Sequence, residues 1–175
     1  QEGALSDEDF TAEISSLFLA YGAVIQPVAY LRVLGWSADD GNFDAFTAIV
    51  GSVNADVANN VDQRSASKIV SAVVRANRNE DFSDDDFTQA VDAYLGAFGA
   101  VIRPAAFLLA LDWAAHDGNF DAFTAIVGHA GPDVINNVER SYASNVLNVL
   151  IRASQNEELS DDEFTQAVDA YLGAF

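Results

Sequence analysis

Apolar residues recur along this chain at helical spacing. In one segment Phe87, Val91, Tyr94, Leu95, Phe98 and Ile102 form a single stripe of a period near 3.6 residues. Ser83 precedes the stripe, followed by Asp84, Asp85 and Asp86. A serine hydroxyl caps the first turn, acids there suit the helix dipole, and a carboxylate three residues on reaches back to the cap. The same opening occurs at Ser6, before Asp7, Glu8 and Asp9, and at Ser160, before Asp161, Asp162 and Glu163. These signals predict one helix, helix A, three times.

Pro27 and Pro104 suit the first position of a second helix, helix B, running through Val28–Ala38 and Ala105–Ala115. Asp40-Gly41-Asn42 and Asp117-Gly118-Asn119 then signal turns. Asn42 and Asn119 are placed to cap a short helix C that ends near Gly51 and Gly128. A longer helix D follows, from after Asn54 to about Asn79 and from after Pro132-Asp133 to about Asn156. No segment reads as a strand.

The helices recur because the sequence does. Asn42–Gly51 returns unchanged as Asn119–Gly128, and Asp86–Phe98 returns as Glu163–Phe175 with one change; both shifts are 77 positions. Aligned without a gap, residues 22–98 and 99–175 are identical at 48 of 77 positions. The expected fold is all-α: tandem helical bundles of 77 residues, about four helices each. Residues 1–21 supply an extra helix A, residues 22–98 a first repeat and residues 99–175 a second.

Composition narrows the role. Apolar residues make up 50% of the chain and charged residues 20%, enough for a packed core. Apolar runs are broken well before the roughly 18–20 residues of a membrane span, so no membrane insertion is expected. With 27 acids against 8 bases, the formal charge of −19 repels phosphate backbones and argues against nucleic-acid partners. Cysteine is absent, so neither a disulfide framework nor a thiolate metal site exists. There is no methionine, and a start at Gln1 fits a processed terminus or a defined fragment.

Catalytic chemistry has few candidates. His116 and His129 align with Asp39 and Ser52 in the other repeat, so a role common to both repeats cannot rest on them. The segment Asp39–Asp44 is rich in carboxylates but lacks the glycine and glutamate register of a calcium loop. Turn chemistry and capping account for it. No enzyme activity, metal or cofactor is expected.

Two features remain for function. The acids Asp7, Glu8, Asp9, Asp84, Asp85, Asp86, Asp161, Asp162 and Glu163 serve capping first. As crowded like charges they also form a candidate charge switch, some of them expected to titrate upward, with repulsion released at lower pH or with salt or calcium. The apolar stripe of helix A is core first, but three copies serve two bodies. Phe10, Phe87 and Phe164, with Tyr21, Tyr94 and Tyr171, are therefore the candidate contacts between modules or subunits. A contact of that kind, joined head to tail, propagates into a filament if its rotation does not close.

Near-identical tandem units, no Cys or Met, a single lysine (Lys68), and acid-rich helix starts such as Ser83-Asp84-Asp85-Asp86 resemble the helical repeat modules of silks and other secreted fibre proteins. The chain departs from most silks in having no long Gly/Ala or Ser-rich runs. The resemblance implies a secreted, extracellular building block whose partner is itself. The competing expectation is a helical polyprotein-type carrier of small apolar ligands such as lipids. Its cavity would be lined by Trp36, Phe43 and Phe46 and by Trp113, Phe120 and Phe123.

Overall fold

The computed structural model describes residues 6–22, 24–137, 140–156 and 158–175. Among these, every regular element is helical. The order is α1 (Asp7–Tyr21), α2 (Pro27–Asp39), α3 (Phe43–Gly51), α4 (Ala55–Asn60), α5 (Gln63–Arg78) and α6 (Asp84–Phe98). After a 3-10 turn (Gly99–Val101) come α7 (Pro104–His116), α8 (Phe120–Gly128), α9 (Pro132–Asn137), α10 (Arg140–Gln155) and α11 (Asp161–Ala174).

Local chemistry sets the boundaries. The Ser83 hydroxyl accepts from the Asp86 amide while the Asp86 carboxylate accepts from the Ser83 amide, and Ser160 and Glu163 repeat this capping box. Asn42 and Asn119 cap α3 and α8, each accepting from an amide three residues on at 2.9 Å. Pro27 and Pro104 open α2 and α7, where a missing N–H breaks no helical bond. Gly118 adopts φ +67°, and a Cβ there would lie 2.9 Å from the Glu158 carbonyl oxygen, so the tight α7–α8 turn requires glycine.

Helix D needs correction. The expected single helix is two, α4 and α5, because Val61 is extended (φ −78°, ψ 146°) and Asp62 starts a new helix. The Asp62 carboxylate accepts from the Ser65 amide at 2.8 Å. Bonding by Ser65 holds its pKa below the usual carboxylate value. Residues 22–98 thus carry five helices, α2 to α6, rather than about four.

The helices pack as two rows. In one, α3 lies between α1 and α6, and α8 lies between α6 and α11. In the other, α5 lies between α2 and α7, and α7 lies between α5 and α10. The rows meet where α2 packs on α3, α5 on α6, α7 on α8 and α10 on α11. Helices α7 to α11 start 77 positions after α2 to α6. Along the joint between the rows runs one apolar core, its largest fully buried side chains including Phe46, Phe82, Phe87, Tyr94, Phe107 and Phe123.

Candidate assembly interface

Helix α6 joins the two halves because it buries both its flanks. Phe87, Ala90, Val91, Tyr94, Leu95 and Phe98 are all inside. Toward α3, the Tyr94 ring lies 6.1 Å from Phe46 at a tilt of 45°, and its hydroxyl donates to the Ala66 carbonyl of α5 at 2.9 Å. Toward α8, the Thr88 hydroxyl donates to the Asn119 side-chain oxygen at 3.2 Å, and the Asn119 amide group donates to the Asp84 carbonyl at 3.1 Å.

A second cluster seals the other row. The Trp113 indole N–H donates to the Asn77 side-chain oxygen at 2.7 Å, and the Arg78 guanidinium sits 5.0 Å from the Trp113 ring. The buried Asn77 amide group donates at 3.2 Å to both the Phe82 carbonyl and the Asp84 carboxylate. Trp36, the indole 77 positions earlier, is 46% exposed and touches Phe10 at 4.6 Å between ring centroids.

The candidate contacts divide accordingly. Phe87, Tyr94 and Tyr171 are at most 1% exposed, so they are core of this chain and offer no surface to another molecule. Tyr21 is 62% exposed, while Phe10 and Phe164 are half-buried. Tyr21 occupies the register of Phe98 and Phe175, and Leu17, 46% exposed, stands in the register of Tyr94 and Tyr171. Sequence reasoning missed Asn77 and Asp117. Asn77 has Ser154 as its counterpart, so no repetition flagged it.

The acids do not behave as a uniform switch. Glu8, Asp9, Asp84, Asp85, Asp161 and Asp162 are exposed, Asp86 and Glu163 half-buried, and the Asp7 side chain lies outside the described residues. Among the crowded acids the pKa of Glu163 moves down, because the Ser160 hydroxyl and amide bond its charged form. The acid pushed up is Asp117, through partial burial and then the charge and hydrogen bond of Asp84, with Glu158 adding to it.

A folded-state pKa raised above the unfolded value of 3.8 means that the folded chain holds this proton more tightly. Asp117 therefore opposes folding at neutral pH, and the opposition fades as pH falls toward the carboxylate range. It also places a negative charge at the C-terminal end of α7. Asp117→Asn is expected to raise the melting temperature at neutral pH, with the gain shrinking in acid. Melts of both chains across that range check it; a lower melting temperature for the variant at neutral pH refutes it.

The histidines sit at helix ends. His116 closes α7 in solvent, and His129 follows α8, with its Nε2 2.9 Å from an Asp92 carboxylate oxygen. In the carboxylate-rich segment Asp39–Asp44, the Asn42 oxygen serves the Ala45 amide. One cleft, of about 790 Å³, runs past Gly99, Arg103, Pro104, His129 and Pro132. None of the six aromatics named for an apolar-ligand cavity lines it, and Phe46 and Phe123 are fully buried. No helix among the described residues is long and apolar enough to cross a membrane. No protein-family model, curated protein or solved structure matches the chain.

Proposed function

We propose that this chain is a structural module of a secreted, extracellular fibre or matrix. In this reading residues 22–98 and 99–175 are tandem copies of one 77-residue unit, and the partner is the same module. The observation that carries it is the contrast between the middle of the molecule and its two ends. Positions buried at the junction, such as Val74, Leu95 and Phe98, have counterparts Ile151, Leu172 and Tyr21 that are 43%, 60% and 62% exposed. Repeat architectures bury such faces by stacking the next unit. No catalytic role is assigned to His116 or His129, whose counterparts are Asp39 and Ser52.

Charge neutralisation favours the association. At −19 each module repels its neighbour, and added salt shortens the range of that repulsion. Raising salt from about 0.01 M to about 1 M contracts the screening length from about 30 Å to about 3 Å. Light scattering from dilute protein is expected to rise over that range. Lowering pH from about 7.5 to about 5.5 is expected to do the same more weakly, because a free carboxylate titrates at about pH 4, below that range. A flat scattering trace in salt, with dispersed single particles by electron microscopy, refutes the reading.

A further inference from the structure

Helices α1 and α11 are each half of α6. Helix α1 lies on α3 as α6 lies on α8: Thr11 donates to Asn42 at 3.5 Å where Thr88 donates to Asn119 at 3.2 Å. Helix α11 lies on α8 as α6 lies on α3: Tyr171 stands 6.2 Å from Phe123 where Tyr94 stands 6.1 Å from Phe46. Each terminal helix fills one flank and leaves the other open. On α11 Leu172 is 60% exposed and Phe164, Val168 and Phe175 are only partly buried, whereas their counterparts Leu95, Phe87, Val91 and Phe98 are buried.

The groove over α3 holds α1 imperfectly. The Asn42 side-chain N–H is buried without a partner, and Asn42 itself is 5% exposed. The same group of Asn119 donates to the first turn of α6. A buried donor left unbonded is a standing penalty. Sequence points the same way. Asp161–Phe175 differs from Asp84–Phe98 at one position, whereas Asp7–Tyr21 matches Asp84–Phe98 at only five of fifteen. Glu13 of α1 stands where Ala90 and Ala167 are fully buried.

If two copies met end to end through the internal geometry, α11 of one and α1 of the next would compete for a single slot. We propose that α11 of one copy displaces α1 of a second copy from the groove over α3, joining copies head to tail. The incoming Thr165 and the Asp161 carbonyl then meet Asn42 as Thr88 and the Asp84 carbonyl meet Asn119. Outer faces of α10 and α2 close as α5 and α7 do. The contact joins unlike faces, so each addition leaves a new open α11. Helix α1 is thereby a built-in competitor that holds the module back from growth. This rests on the assembly reading above and specifies its joint.

Sedimentation of the whole chain in about 1 M salt tests it, with two substitutions. Phe18→Ala removes the one buried apolar anchor among the described residues of α1 and is expected to strengthen self-association about tenfold or more. Leu172→Asp blocks the open flank of α11 at an exposed position and is expected to abolish association, also in the Phe18→Ala background. A second readout does not depend on stability. The chain has no cysteine, so Asp162→Cys, exposed and outside the proposed contacts with Asn42, accepts a single bimane label. Its fluorescence should be quenched on adding unlabelled parent chain, through Trp36 of the partner, and not on adding Trp36→Phe chain. No gain with Phe18→Ala, or full association by Leu172→Asp, overturns the proposal. Association without Trp36-dependent quenching also overturns it but leaves the assembly reading standing. A parent chain that stays monomeric at every salt concentration removes both.

Discussion

Trp113→Ala is expected to lower the unfolding free energy by about 3 kcal/mol, and Trp36→Ala by about 1 kcal/mol or less. The residues are the same type, 77 positions apart on α7 and α2. Their surroundings separate them. Trp113 fills the space between α7 and the end of α5, bonds Asn77 at 2.7 Å and lies under Arg78. Truncation opens a void and strips a partner from Asn77, which is 7% exposed and has little access to water. Trp36 is already 46% in solvent and loses mainly its contact with Phe10. Urea unfolding of both variants measures the difference. Equal losses would show that the Asn77 cluster contributes nothing to the junction. Trp113→Phe is expected to fall between, since it keeps most of the packing and loses the hydrogen bond.

Tyr94→Ala is expected to be more damaging, at about 4 kcal/mol, and Tyr94→Phe to lose about 1 kcal/mol. Tyr94 is 1% exposed and ties α6 to two elements, through the Phe46 ring and the Ala66 carbonyl. Burial pushes its phenol well above the ordinary value, as it pushes Tyr171 to about 12. Above pH 10 the unfolded phenols ionise first, so both residues withdraw stability from the folded chain in alkali. Because α6 belongs to both halves, Tyr94→Ala is also expected to uncouple them. Tryptophan fluorescence and helical circular dichroism would then report separate transitions. Leu17→Ala, in the same register on α1 but 46% exposed, is expected to change stability by less than about 1 kcal/mol. A single coincident transition for Tyr94→Ala would count against α6 as the coupling element.

Much of this was legible in the residues. The caps at Ser83, Ser160, Asn42 and Asn119 and the prolines opening α2 and α7 act through bonds three or four residues long, which a local reading captures. The split of helix D was not legible. Val57, Val61, Ile69 and Val73 keep an apolar pattern across the break, and Asp62 reads equally as a helical surface residue until its bond to Ser65 is seen. The fate of the aromatic positions was not legible either. Burial of Tyr94 and exposure of Tyr21 depend on which helix lies alongside, and that pairing spans more than thirty residues. Which of the crowded acids would shift, and in which direction, was not legible for a similar reason: the hydrogen bonds to Ser160 that lower Glu163 are seen only once the cap is built.

The alternating rows carry a thermodynamic consequence. When every body touches only its neighbours, total stability grows as the number of bodies plus the number of junctions between them. Junctions increase faster in proportion than bodies in a short row, so each added body raises the melting point by less than the one before. In the tandem-unit reading proposed above, heat or denaturant is expected to peel such a row from its extremities, starting with α1, whose one buried apolar side chain among the described residues is Phe18.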